Sequence, residues 1–160
     1  MIVLGIDPGL ATTGFGLIKT TSISHTYIAH GQIKTDVEMP HNVRLLKIYN
    51  DIENIINKFS PNVISIEDLF FNRNTTSAIS VAQAMGVVFL LSAQHNIPAY
   101  AYSPRVVKQT IVGNGTASKQ DVQRFVSLLL GVPTESMSDH ETDALAIAIC
   151  HAHQRGGYDI

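Results

Sequence analysis

The chain opens with apolar runs broken by turn residues. Residues 2–7 form a continuous apolar stretch that ends in Asp7, and Pro8-Gly9 stops it, which reads as a buried strand closed by a tight turn. Residues 13–20 and 25–34 follow closely and read as two further strands of an antiparallel meander. From Leu45 the period changes: Leu45, Ile48, Tyr49, Ile52, Ile55, Ile56 and Phe59 fall at i, i+3, i+4, i+7 spacing, a helix with one apolar face. Ser60-Pro61-Asn62 ends it, and Val63-Ile64-Ser65-Ile66-Glu67 reads as a central strand. Ala78, Val81, Ala82, Met85, Val88 and Phe89 predict a second long helix ending near Asn96-Ile97-Pro98, before a short fifth strand at residues 99–102. Helices are predicted from about Pro104 and about Ser118, separated by Gly113-Asn114-Gly115, and the last from about Asp139 to His153. The order βββαβαβ followed by helices implies an α/β protein, a mixed sheet covered on both faces.

Composition changes little in this picture. A chain of 160 residues with ordinary globular composition and no repeat or linker is expected to form one domain over residues 1–160. The longest uninterrupted apolar stretch, Ala144 to Cys150, is too short to cross a bilayer, and the N-terminus shows no basic segment followed by an apolar core. The single Cys150 lies in that stretch and reads as packing. A cytoplasmic location is the expectation.

Charge adds a direction. The net charge of −2 argues weakly against nucleic acid, but its distribution is lopsided. Residues 36–70 carry six acids against Arg44, Lys47 and Lys58, whereas residues 101–130 carry Arg105, Lys108, Lys119 and Arg124 against Asp121 alone.

The acids carry the chemistry. Asp7 and Glu67 each end an apolar strand; were those strands parallel neighbours, both carboxylates would meet at one sheet rim, where α/β folds place ligands. Like charges crowd in this way only when a cation neutralises them. Asp143 opens the most apolar helix of the chain, with His140 at i−3 and Asp139 at i−4 on the face it shares. Ser138 and Glu141 have capping-box spacing, so Glu141 reads as a cap. Hard oxygen donors in an open cleft suit Mg²⁺ or Mn²⁺. Two such ions about 3.5–4 Å apart would hydrolyse a phosphodiester.

Five motifs in order resemble one family. They are Gly5-Ile6-Asp7-Pro8-Gly9 with Thr13-Gly14-Phe15-Gly16, Ile66-Glu67-Asp68-Leu69-Phe70-Phe71, Asn74-Thr75-Thr76-Ser77-Ala78, Val107-Lys108-Gln109-Thr110 with Gly113 and Gly115, and Asp143-Ala144-Leu145-Ala146-Ile147-Ala148. Over nearly its whole length the chain resembles the bacterial RuvC-type Holliday-junction resolvases. That resemblance implies an RNase H-like fold, with a meander of three antiparallel strands plus two parallel ones, and a homodimer that resolves four-way DNA junctions by two symmetric nicks in recombination and repair. It assigns Asp7, Glu67, His140 and Asp143 to catalysis and metal binding, with two Mg²⁺ per site and Mn²⁺ as a substitute. Position 140 is Asp in many members, so Asp139 is the alternative ligand by a one-residue shift. Lys108 and Lys119, and more weakly Arg73 and Arg105, would contact phosphates; Phe70 or Phe71 would stack on an unpaired base. The helix segment Ala82-Gln83-Ala84-Met85-Gly86 departs from the family's Gly-Gln-Ala-Arg-Gly. The dimer interface would use Val87, Leu90 and Leu91, and a branch-migration motor would deliver the junction.

Rival readings are a sugar-kinase/actin-like fold, which needs a longer chain and a second phosphate loop, an inert junction-binding scaffold, and an RNase H-like nuclease acting on RNA or simple duplex.

Overall fold

The computed structural model describes residues 1–21, 24–68 and 75–154. Strands β1 (Ile2–Asp7), β2 (Thr12–Thr20) and β3 (His25–Lys34) form the meander, followed by α1 (His41–Phe59), β4 (Val63–Glu67), α2 (Thr75–Gln94) and β5 (Ala99–Tyr102). Then come α3 (Pro104–Val112), α4 (Lys119–Leu130), a short 3₁₀ turn at Thr134–Ser136 and α5 (Asp139–His153). The sheet runs β3-β2-β1-β4-β5, with β1 antiparallel to β2 and parallel to β4, and β4 parallel to β5. The anticipated five-stranded mixed sheet is present.

Alternation along the strands divides the core into two layers. Leu4, Ile6, Leu17, Ile64 and Ile66 face Ile48, Ile52 and Ile56 of α1 and Met85, Val88 and Leu91 of α2. Val3, Ile18, Val63 and Tyr102 face α3, α4 and α5. Helix α5 is the innermost element: every residue from Ala144 to Ala152 is buried, between the sheet on one side and α3 and α4 on the other. Its alanines at positions 144, 146 and 148 keep it thin enough for that place.

Two boundaries and one face depart from the sequence reading. Helix α1 starts at His41, behind Pro40, because its first turn is polar or exposed and carries no apolar period. Strand β2 starts at Thr12. In α2 the buried face holds Ala84, Met85, Val88 and Leu91, whereas Ala82 and Phe89 are exposed. Leu91 is fully buried and Val87 half-buried, so neither belongs to an exposed surplus; Leu90 does. The helix is apolar nearly all round, so spacing alone cannot choose its inner face.

Candidate active site

Strand parity decides which side chains see the site. Because Leu4 and Ile6 point to one layer, Asp7 points to the other, as does Glu67 after Ile64 and Ile66. The parallel register pairs Ile6 with Ile66, so Asp7 and Glu67 stand side by side at the carboxyl ends of adjacent strands. Both face α5.

The start of α5 is held by several independent contacts. Ser138 and Glu141 form the anticipated capping box, Ser138 N donating to Glu141 Oε2 at 2.7 Å and Glu141 N to Ser138 Oγ at 3.4 Å. From β3, Gln32 Nε2 donates to Ser138 Oγ and, at 3.4 Å, to Glu141 Oε2. Gln123 of α4 donates to the carbonyls of Thr134 and Met137, both at 3.2 Å. Glycines on the sheet make room beneath: a methyl group on Gly14 would run into the His140 carbonyl, and one on Gly5 into that of Ala144. The first turn of α5 therefore lies flat on β1 and β2, which delivers His140 and Asp143 to Asp7.

Asp7 is 8 % exposed, and its Oδ2 lies 2.7 Å from His140 Nδ1. A carboxylate at this distance accepts from the tautomer that carries its proton on Nδ1, and the His140 side chain is 48 % exposed. Glu67 is pushed up to about 8, first by burial and then by the charges of Asp7 and Asp143 and a hydrogen bond with Asp7, with Lys119 opposing. Asp143 rises to about 6 through burial first, then Asp7. These shifts tie the three acids into one electrostatic unit.

Among the described residues no three acids or imidazoles are arranged to hold one ion as they stand; Asp7 is engaged by His140 instead. The donor set nevertheless fits a hard divalent cation. Carboxyls held above their ordinary range by burial and by one another's charge are those a cation would return to the charged form.

Beside the acids lies a cleft of about 250 Å³ lined by Glu67, Asp143, Lys108, Lys119, Pro104, Val107 and Val122. Lys108 and Lys119, the two lysines singled out from the resemblance, both line it. Arg105 does not line this cleft; it is exposed, its stem against Gly115. Asp139 is turned to Lys119, Oδ2 to Nζ at 3.5 Å, while His140 takes the place beside Asp7. Phe70, Phe71 and Arg73 lie outside the described residues. Sequence reasoning missed the work of Gln32, which has no local signal because it acts on an element remote in the chain.

A family model described as crossover junction endodeoxyribonuclease RuvC matches residues 3–151. Curated relatives carrying that same description include one from Pseudothermotoga lettingae, 41 % identical over 97 % of this chain and 96 % of its own. Another, from Desulfitobacterium hafniense, is 47 % identical over 96 % of this chain and 93 % of its own. Among solved structures, Thermus thermophilus RuvC in complex with a Holliday junction substrate superposes with a TM-score of 0.90 at 33 % identity, covering 95 % of this chain and 93 % of that one. The yeast mitochondrial Holliday junction resolvase Ydc2, at TM-score 0.69 and 15 % identity over 97 % of this chain and 80 % of its own, shares the fold.

Proposed function

This chain belongs to the RuvC family and is a crossover junction endodeoxyribonuclease of RNase H-like fold that resolves four-way DNA junctions; we propose that Asp7, Glu67, Asp143 and His140 carry the cleavage. One observation supports that assignment above the rest. Three carboxyl groups from β1, β4 and α5, one buried and two half-buried, share one electrostatic environment next to a cleft lined by two lysines.

Asp7, Glu67 and Asp143 would hold the divalent ions, two Mg²⁺ in our reading with Mn²⁺ as a substitute. When bound, such ions supply an activated water and neutralise the leaving oxygen. The chain supplies the rest. Lys108 and Lys119 present ammonium groups to the phosphate entering the cleft, and fixed positive charge there favours the charge that develops in the transition state. His140, held against Asp7 through Nδ1, keeps a half-exposed imidazole that can take or give a proton or join the metal ligands. Phe70 or Phe71 would stack on an unpaired base, with Arg73 and Arg105 as outer phosphate contacts.

Paired cuts require two sites, and we propose a homodimer with closed two-fold symmetry. Its interface would be the exposed apolar stripe of α2, where Ile79 (61 % exposed) and Leu90 (54 % exposed) flank Gly86. A branch-migration motor that delivers the junction, and a cytoplasmic location, complete the proposal. Among the described residues no helix is long and apolar enough to cross a membrane.

The decisive assay offers a synthetic four-way junction, linear duplex and RNA–DNA hybrid side by side, with Mg²⁺ or Mn²⁺. Symmetric nicks in the junction that leave ligatable ends are expected. Preferential cutting of duplex or hybrid would reject the substrate assignment.

A further inference from the structure

A second groove, of about 390 Å³, lies on the side of His140. It is lined by the β1–β2 turn at residues 9–12, Arg44 of α1, Ser80 and Val81 of α2, and His140 of α5. His140 links this groove to the acids: its Nδ1 lies against Asp7, and the same residue lines the groove. The two depressions differ in charge: Glu67 and Asp143 line the first together with Lys108 and Lys119, whereas among the described residues no carboxylate lines the second and its one permanent charge is the guanidinium of Arg44.

Arg44 is held in a defined way. Its Nε donates to Thr35 Oγ1 at 2.8 Å, and that hydroxyl donates in turn to the Leu10 carbonyl at 2.5 Å. Thr35 N also donates to the Ala11 carbonyl at 3.1 Å, so the relay ends on the turn that follows Asp7. Thr13 Oγ1 donates to the Gly9 carbonyl at 2.7 Å and fixes the other side of that turn. This relay uses one of the five N–H donors of the guanidinium, and among the described residues the terminal nitrogens have no partner. A half-buried guanidinium with its stem anchored and its fork unspent is suited to bidentate capture of a phosphate.

We infer that this groove binds a phosphodiester of the substrate strand flanking the scissile linkage, with Arg44 as its cation. The inference rests on the nuclease reading above and adds a second point of attachment in a groove separate from the one that Lys108 and Lys119 line. Arg44 is thereby a positioning residue: it sets the register of the strand over the acids and touches no reacting atom. Two anchored phosphates, one on each side of the cut, fix the direction of the scissile bond as well as its position.

The test neutralises the proposed partner on each side. Binding is measured with Ca²⁺ in place of Mg²⁺ on junctions in which single linkages around the cut are replaced, one at a time, by uncharged methylphosphonates. Wild-type protein is expected to lose about tenfold in affinity at one flanking linkage. Arg44→Gln is expected to lose about tenfold on the native junction, to lose nothing more at that linkage, and to show a salt dependence shallower by about one unit of slope. Arg44→Lys, which keeps the charge without the fork, carries a smaller penalty at the same linkage and an unchanged one elsewhere. It also serves if the Gln variant fails to fold. Penalties from Arg44→Gln or Arg44→Lys that simply multiply with every methylphosphonate, or an unchanged affinity, would overturn the inference. Cutting of the native junction by wild-type protein is scored separately, so a failure of the nuclease reading is not confused with a failure of this one.

Discussion

Glu67 and Asp143 make the metal-free protein sensitive to pH in a direction opposite to that of a salt-bridged acid. The folded-state value of Glu67, about 8, lies above its ordinary 4.5, so between those values the unfolded chain has already released a proton that the folded chain retains. Stability therefore falls as pH rises through that window and levels off above it. Asp143 adds the same slope between 3.8 and about 6. Melting temperatures in chelator are expected to drop from pH 4.5 to 8, and Mg²⁺ to flatten the decline by favouring the ionised ligands. Glu67→Gln removes part of the slope; an unchanged slope would separate Glu67 from the cluster. At the same scale, Asp7→Asn is expected to cut cleavage by about a hundred- to a thousand-fold with junction binding retained. His140→Ala costs less, about ten- to a hundred-fold, and full activity in that variant would return the fourth position to Asp139. Asp7, Glu67 and Asp143 were legible from the sequence because a charge closing or opening an apolar run has no ordinary place in a core. Arg44 was not, since its meaning lies in Thr35 and Leu10, which only the folded chain brings to it.

At the scale of elements, the site depends on how closely α5 approaches the sheet. Gly14→Ala places a methyl against the His140 carbonyl, and overpacking of this kind costs about 1–3 kcal/mol. The prediction is a lower melting temperature together with weakened Mg²⁺ affinity, read by titration calorimetry, because His140 and Asp143 move with the first turn. Ser138→Ala removes the cap and costs about 1 kcal/mol in the same direction. The strands and α5 were readable because alternation, turn residues and a capping box agree along them. The inner face of α2 was not, since a helix apolar on every side carries no preferred stripe, and Leu91 went to the wrong side for that reason. The start of α1 escaped because its polar first turn bears no period.

At the scale of the whole molecule, α2 leaves apolar side chains from Ile79 to Leu90 exposed, and α4 does the same with Phe125, Leu128 and Leu129. Leu90→Glu is expected to yield a folded monomer by light scattering, with single nicks replacing paired ones; an unchanged dimer would move the interface elsewhere. The central position of α5 has a different consequence, one concerning heat. Because His140 and Asp143 are mounted on the innermost rod of the fold, and Asp7 and Glu67 on the strands packed against it, their geometry cannot loosen ahead of the structure that surrounds them. Thermal inactivation is therefore expected to coincide with the cooperative melt, with no warm regime in which an intact fold carries a slackened catalytic centre.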